Sequence, residues 1–310
     1  MEYRQLGRTG LKVSKIGFGT SALGNAFGDI DPGEGMRAVH QAVDSGINFF
    51  DSSPYYGITL AETRLGEALA GRRDRVILAT KCGRYGFDQF DFSPKRVIAS
   101  MDESLRRLQT DYIDLFQIHD VEFGDVPQII QETVPALRQL QQQGKARYIG
   151  ITGYPPKLLR RIAEAVPVDS ILSYCHYNLL NTNMDGVLTQ FTQDRGMGLI
   201  NASGLSMGLL TEQGPPDWHP APPQLREAAR KAAVFCREQG ANISELALRF
   251  CLANPFVSTT LVGVATTREL ETSLKLLEGE PDKALLAKVE AILAPVFNYE
   301  WPSGRPENQE

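Results

Sequence analysis

Residues 75–81 read RVILATK, and a second segment, KRVIASMDESLRRL (95–108), follows them after a polar stretch. The first segment is short and rich in β-branched and apolar residues, which is typical of a buried strand. The second segment has apolar residues at helical spacing, and Ser93-Pro94 in front of it supplies an N-cap and a proline at the first helical position. Together the two segments predict one strand–helix unit.

Further units of the same kind repeat along the chain, and their succession predicts a (β/α)8 TIM barrel. A doubly wound sheet is disfavoured because no GxGxxG fingerprint follows the first strand. The predicted strands are KIGFG (15–19), INFFDS (47–52), RVILATK (75–81), YIDLFQI (112–118), ARYIGIT (146–152), SILSYC (170–175), GLINAS (198–203) and TTLVGV (259–264).

Segments outside these units extend the predicted barrel. YRQLGRTG (3–10) and LKVSKI (11–16) can pair as a β-hairpin that closes its bottom. The insert 212–240, before the last strand, begins with a proline-rich stretch that predicts an ordered loop and continues as a helix. Residues 282–296 predict an extra C-terminal helix. Since we find no linker or low-complexity tract, we expect residues 1–310 to form a single domain.

Composition excludes several classes of function. The net charge is −5 and acidic and basic residues are interspersed, which argues against nucleic acid as a partner. No apolar run approaches the roughly 20 residues that span a bilayer, and the polar start MEYRQLGRTG is not a signal peptide. The four cysteines and the four histidines are spaced like neither a disulfide framework nor a metal site. We therefore expect a cytoplasmic protein without a membrane segment or a bound metal.

Four side chains stand at or after the ends of consecutive predicted strands: Asp51, Tyr56, Lys81 and His119. Each has a plain alternative, since an aspartate can cap a helix, a lysine can be a surface charge and a histidine can be buried in the core. In such barrels, however, the C-terminal ends of the strands meet around the active site. We therefore expect the four side chains to be neighbours.

The four residue types suit the interconversion of an alcohol and a carbonyl group. The ordinary pKa of a tyrosine phenol, about 10, is too high for easy proton transfer at neutral pH. The ammonium of Lys81 should lower the pKa of Tyr56, and the carboxylate of Asp51 should hold the lysine charged. His119 can orient the substrate oxygen. The pattern predicts general acid–base chemistry at a hydroxyl group.

Nearly the whole chain resembles the aldo-keto reductase superfamily. The resemblance is carried by LGRTGLKVSKIGFGT (6–20), FFDSSPYYG (49–57), ATKCGR (79–84), DYIDLFQIH (111–119), GKARYIGIT (144–152) and LVGVATT (261–267). It implies a catalytic tetrad of Asp51, Tyr56, Lys81 and His119, in which the tyrosine before the glycine exchanges the proton. It also implies that NAD(P)(H) lies extended across the mouth of the barrel.

Within the superfamily, ATKCGRY (79–85), ILSYCHY (171–177), MGLLTEQGPPDWHPA (207–221) and WPSG (301–304) resemble sugar dehydrogenases that oxidise the anomeric C1 hydroxyl of L-galactose to a lactone. By this resemblance Tyr56 is a general base, His119 holds the same sugar oxygen, and L-galactose or L-fucose is the expected substrate. The predicted substrate-binding residues are Tyr55, Tyr56, Arg84, His119, Asp120 and Trp301. The alternative for Trp301 is that it packs the last helix onto the barrel.

The resemblance also predicts where the cofactor binds. Thr152, Tyr174 and Ala202 depart from the common family pattern around the nicotinamide, and Tyr174 can contribute there from its strand end. Glu269 stands where NADP-preferring relatives often have arginine, so NAD is the expected cofactor, with NADP as a possible second one because Arg268 lies beside it. The predicted cofactor-binding residues are Gly19, Thr20, Asp51, Thr152, Tyr174, Ser203, Gly204, Leu205, Met207, Gly263, Val264, Arg268, Glu269, Thr272 and Ser273.

Two other functions remain open at this point. The same fold and tetrad serve aldehyde reductases and pyridoxal-type dehydrogenases, because a fold does not set the substrate. A non-enzymatic cofactor-binding subunit is the remote alternative.

Overall fold

The structure, a computed structural model, describes residues 1–26 and 28–309. Within them, two short strands pair at the N-terminus and eight strands close into a parallel barrel. The strands are β1 (Tyr3–Gln5), β2 (Lys12–Ser14), β3 (Ile16–Gly19), β4 (Phe49–Asp51), β5 (Ile77–Cys82), β6 (Ile113–Ile118), β7 (Ala146–Gly153), β8 (Ser170–Tyr174), β9 (Gly198–Ala202) and β10 (Thr259–Gly263).

Helices surround the barrel and follow its strands in the chain. Short π-type turns, Ile129–Thr133 and Asp185–Thr189, lead into two of them. The helices are α1 (Pro32–Asp44), α2 (Leu60–Ala68), α3 (Pro94–Arg107), α4 (Val126–Gln128), α5 (Val134–Gln142), α6 (Pro156–Ala165), α7 (Gln190–Arg195), α8 (Pro223–Glu238), α9 (Ile243–Ala253), α10 (Thr267–Lys275) and α11 (Lys283–Leu293).

The strands β3 to β10 follow one another around the barrel, and β10 closes it by pairing with β3. This arrangement confirms the predicted (β/α)8 barrel and the N-terminal hairpin. The predicted cap of α3 is present, because the Ser93 side chain accepts a hydrogen bond from the backbone N–H of Arg96. The insert carries the predicted helix as α8, and the predicted C-terminal helix is α11.

Two apolar layers follow from the alternation of side chains along each strand. Outward-facing residues such as Phe116 and Ile118 pack under the helices. Inward-facing residues such as Leu115 fill the lower half of the barrel, where Leu6 from the hairpin joins them. Because the bottom is filled, only the upper ends of the strands can form a site. No helix among the described residues is both long enough and apolar enough to cross a membrane.

Candidate active site

Two charged side chains of the site come from neighbouring strands. Asp51 ends β4, and Lys81 lies near the end of β5. Both are about 1% exposed, and Lys81 forms an ion pair with the Oδ1 of Asp51. A buried charge of this kind is stable only when it is paired and hydrogen-bonded. The strand register therefore places the two charges in contact where water is excluded.

The ammonium of Lys81 has three hydrogen-bond acceptors. Besides Asp51, it donates to the backbone oxygen of Ser52 at 2.8 Å and to the phenol oxygen of Tyr56 at 3.2 Å. Three N–H groups thus meet three oxygens, so the lysine is saturated as a cation. Burial lowers the pKa of Lys81, but Asp51 and Tyr56 outweigh it, and the pKa lies above its ordinary value. Lys81 stays protonated next to the phenol.

The pKa of Tyr56 differs in its net direction from the sequence-based expectation. Burial raises it, the charge of Lys81 lowers it, and Asp51 raises it again, so that it lies above its ordinary value. The lysine acts in the predicted direction, but the loss of hydration is larger because the phenolate would be buried. Lys81 therefore limits a rise in the pKa that burial imposes.

His119 lies just beyond β6 and faces the phenol. Its ring is perpendicular to that of Tyr56, with the centroids 5.7 Å apart. Its Nδ1 lies 2.9 Å from the hydroxyl oxygen of Ser53. Burial lowers the pKa of His119 to about 3, against the opposing effect of Asp120. The imidazole is therefore neutral over the physiological range of pH. Ser53 holds its Nδ1, and Nε2 lies on the opposite side of the ring.

The turn that carries Tyr55 and Tyr56 gives the two side chains different contacts. Gly57, after Tyr56, has φ +64°, and a Cβ on it would lie 2.3 Å from the backbone oxygen of Gly24. The turn therefore packs directly on the loop after β3. Tyr56 contacts Lys81, whereas the ring of Tyr55 lies under the guanidinium of Arg84, 3.8 Å from Cζ to the ring centroid. Of the two phenols, Tyr56 is the one tied to the charged pair.

The predicted substrate-binding side chains form two groups. Arg84 donates a hydrogen bond of 2.6 Å to Asp120, so these two residues and Tyr55 form one polar wall beside His119. Trp301 is buried and stacks on Tyr154, with centroids 5.0 Å apart. It shares an apolar cluster with residues of α8 and α11, which is the packing alternative considered for it.

A channel of about 1010 Å³ runs from Tyr56 across the mouth of the barrel. Its lining includes eight of the fifteen predicted cofactor-binding residues and two walls that the sequence did not predict. One wall is the loop after β3, and the other is the proline-rich start of the insert. The predicted residues that line the channel are Gly19, Asp51, Tyr56, Ser203, Gly204, Leu205, Met207, Gly263 and Glu269; the unpredicted ones include Ser21, Asp29, Ile30, Gln213, Pro216 and Trp218.

The other predicted cofactor residues lie around the channel without lining it. The Thr20 hydroxyl donates to Ser52, Thr152 accepts from the backbone of Asp120, and Tyr174 donates to Glu122. Val264 and Ser273 are buried, whereas Arg268 and Thr272 lie at the surface of α10. The two missed walls come from loops that lie far apart in the sequence, and only the closed barrel brings them together at one channel.

The channel fits a dinucleotide. Ser203, Ser206 and Met207 all have φ near +50°. Backbone that alternates between right- and left-handed conformations forms concave nests of N–H groups that bind anions such as a pyrophosphate. The lining also includes Gly263, where the nearest atom to an added Cβ would be Oγ of Ser21 at 3.9 Å, so the backbone there is open to a ligand.

Two carboxylates stand at the start of α10, beside the channel. Glu269 accepts hydrogen bonds from the backbone N–H groups of Ala265 and Thr266, and Glu34 of α1 accepts from the N–H and the hydroxyl of Thr267. These hydrogen bonds from Thr267, aided by Arg37, lower the pKa of Glu34 to about 2. The N-terminus of α10 is therefore satisfied by anions of the chain itself.

A buried carboxyl group, missed in the sequence, lies behind the polar wall. Glu122 accepts hydrogen bonds at Oε1 from the hydroxyl groups of Tyr174 and Ser303 and from the backbone N–H of Tyr154. Burial, with the neighbouring charge of Asp120, raises the pKa of Glu122 to about 8. Glu122 links two strand ends to the C-terminal segment. Among the described residues, no group of His, Cys, Asp and Glu is arranged to hold a metal ion.

Comparison with known proteins gives the family. The sequence profile of the aldo/keto reductase family matches residues 15–294. L-galactose dehydrogenase of Arabidopsis thaliana is 48% identical over 99% of both chains, and D-arabinose 1-dehydrogenase of Saccharomyces cerevisiae is 34% identical over 86% of this chain and 87% of its own. An aldo-keto reductase of Bacillus halodurans in its holo form superposes with a TM-score of 0.80 at 28% identity over the whole of both chains. The chain therefore belongs to the aldo/keto reductase family of NAD(P)-dependent oxidoreductases.

Proposed function

We propose that this protein is an NAD⁺-preferring aldose 1-dehydrogenase that oxidises the C1 hydroxyl of L-galactose, or of the related L-fucose, to the lactone. The observation that carries the proposal is the saturated Lys81 ammonium, buried between Asp51 and the phenol of Tyr56 at the end of the channel. The similarity to L-galactose dehydrogenase and to D-arabinose 1-dehydrogenase supports a sugar as the substrate.

The chain's own residues orient the sugar oxygen and accept its proton. Tyr56 accepts the proton of the C1 hydroxyl, and the positive charge of Lys81 stabilises the phenolate from which it does so. When the hydroxyl of Ser53 donates to Nδ1 of His119, Nε2 carries the proton and donates to the same sugar oxygen. NAD⁺, when bound, supplies the acceptor of the C1 hydride.

The polar wall suits the remaining sugar hydroxyl groups. Asp120 keeps acceptor capacity beyond the single N–H it receives from Arg84, and the guanidinium keeps donors beyond its contacts with Asp120 and Phe87. A bidentate pattern of donors and acceptors is what a polyol needs from a partly buried pocket. A simple aldehyde would leave these groups unpaired, which costs binding energy.

The preference for NAD⁺ is proposed from the charges at α10. A 2′-phosphate placed near the start of this helix would meet Glu34 and Glu269, and it would compete with them for the same N–H groups. Arg268 stands on the same helix, but the two carboxylates already hold the backbone donors. We place the enzyme in the cytoplasm, which its four buried, free cysteines support.

The test is turnover with a panel of substrates, followed by NADH absorbance. We expect NAD⁺ to be reduced with L-galactose and L-fucose, and much more slowly with simple alcohols. Turnover only with pyridoxal or simple aldehydes would replace the sugar assignment by the reductase alternative. Tight cofactor binding without any turnover would favour the non-enzymatic subunit.

A further inference from the structure

Gln117 contacts Asp51, although it lies on a strand that contributes neither Asp51 nor Lys81. It lies on β6, directly beside Lys81 in the strand register. Its side-chain amide Nε2 donates a hydrogen bond of 2.8 Å to Oδ2 of Asp51. Gln117 and Asp51 are both buried, at 0% and 1% exposure. The amide therefore binds the carboxylate oxygen that the lysine does not use.

The surroundings of Gln117 show that the barrel makes room for this contact. The facing residue on β7 is Gly150, and a Cβ there would lie 3.3 Å from Cγ of Gln117 and 2.4 Å from Oγ of Ser170. Oε1 of Gln117 and Oγ of Ser170 find no hydrogen-bond partner among the described residues. A fully buried glutamine with an unpaired Oε1 is explained by the hydrogen bond that its Nε2 donates to Asp51.

We propose that Gln117 is a positioning residue for proton transfer: it holds Oδ2 of Asp51 and thereby fixes the direction in which Oδ1 meets the Lys81 ammonium. A carboxylate bound at one oxygen can rotate about its Cβ–Cγ bond, whereas one bound at both oxygens cannot. Rotation would move Lys81 away from Tyr56, since a single ammonium bridges the two. The inference rests on the proposed role of Tyr56 in proton exchange.

The experiment compares two variants of nearly equal volume. Gln117→Met removes the donor and keeps the volume. We expect kcat to fall on the order of 10- to 100-fold, because hydrogen bonds to charged groups have about this strength. The KM for NAD⁺ should stay within about 2-fold, since Gln117 lies outside the channel lining. Ser170→Ala is the control: it removes a neighbouring hydroxyl oxygen that has no hydrogen-bond partner in the described part of the chain, and kcat should remain that of the wild type.

Gln117→Glu supplies a readout that mere space-filling would not change. A protonated glutamic acid donates to Oδ2 of Asp51 as the amide does, so activity should approach the wild-type value at low pH. When the new carboxyl ionises, that donor is lost and a second negative charge faces Asp51. The ionisable groups around position 117 are Asp51, Lys81, Tyr56 and His119; the facing residues of β7 and β8, Gly150 and Ser170, carry no charge. The activity of this variant should fall with rising pH, where that of the wild type rises.

Two results would overturn the proposal: wild-type kcat in Gln117→Met, or parallel pH profiles of Gln117→Glu and the wild type. If Gln117→Met fails to fold, the profile of Gln117→Glu decides, because it compares one protein with itself at different pH values. The assay uses whichever alcohol or aldehyde the wild type turns over, so that a wrong sugar assignment does not affect it. Absence of any turnover by the wild type would instead refute the proposed function.

Discussion

The Nζ of Lys81 lies 3.2 Å from the phenol oxygen of Tyr56, and the same Nζ is the partner of Asp51. One ammonium thus joins the phenol of Tyr56 to a buried carboxylate. Since burial raises the pKa of Tyr56 and the lysine opposes this rise, the reactivity of the phenol depends on this short contact. The neighbouring ring of Tyr55 packs instead against the guanidinium of Arg84.

Replacing Tyr55 and Tyr56 separately by phenylalanine should distinguish loss of catalysis from loss of cofactor binding. Tyr56→Phe removes the group that accepts the proton, so kcat should fall roughly 10²- to 10⁴-fold. The Kd for NAD⁺, measured by fluorescence titration, should hardly change. Tyr55→Phe is the matched control and should keep most of the activity. An inactive Tyr55→Phe beside an active Tyr56→Phe would reverse the assignment.

The buried ion pair should behave as a unit in unfolding experiments. Lys81→Met leaves the Asp51 carboxylate buried and unpaired, which should cost about 3–5 kcal/mol of the free energy of unfolding. The double variant Lys81→Met/Asp51→Asn should regain most of this loss but none of the activity. Urea unfolding measures the stability of both variants, and a turnover assay measures their activity. Additive losses in the double variant would show that the two charges do not interact.

Removal of the negative charges at α10 should widen cofactor use. Glu34→Gln and Glu269→Gln keep a hydrogen-bond acceptor, and glutamine still completes the capping box of Glu269, but the charge is lost. We expect kcat/KM for NADP⁺ to rise roughly 10-fold relative to NAD⁺. Glu271→Gln, on the exposed face of the same helix, is the control. Equal kcat/KM of the wild type for the two cofactors would contradict the proposed preference.

Gly57 should be irreplaceable for reasons of space as well as backbone conformation. Gly57→Ala places a Cβ against the backbone of Gly24 and should move Tyr56. Because small displacements of a reacting group cost much of the rate, kcat should fall at least about 10-fold. Gly71→Ala is the matched control: its φ is +73°, but apart from its own and its chain neighbours' atoms, no atom of residues 1–26 and 28–309 lies within 4 Å of the added Cβ. It should cost about 1 kcal/mol of stability and no activity. Equal activity of the two variants would remove the packing argument.

Glu122 should make stability depend on pH. Its pKa in the folded protein is raised to about 8, so the native state keeps this proton where the unfolded chain, with a pKa near 4.5, has lost it. The free energy of unfolding should therefore fall as pH rises from about 4.5 to about 8, and then level off. Glu122→Gln should abolish this contribution, so the free energy of unfolding of the variant should rise relative to that of the wild type as pH rises. Urea unfolding at both ends of this range measures it, with Glu164→Gln as a surface control. The same pH slope in wild type and Glu122→Gln would contradict the assignment.

The succession of strands and helices was predictable from the sequence because it depends on local periodicity and on caps such as Ser93. That Asp51, Tyr56, Lys81 and His119 are neighbours was predictable for a related reason: each stands at or just beyond a strand end, and the fold carries all such ends to one edge. Asp51 and Lys81 needed no more than this rule to be placed together.

The tertiary structure decided what sequence spacing cannot express. Three features depend on contacts between residues far apart in the chain. Burial raises the pKa of Tyr56 more than Lys81 lowers it. Glu122 joins Tyr174 to the C-terminal segment, and Gln117 holds Asp51. The sequence alone determined which groups are present and on which strand ends they lie. Their protonation and orientation follow from desolvation and from hydrogen bonds across the barrel, and both exist only once the eight strands have closed.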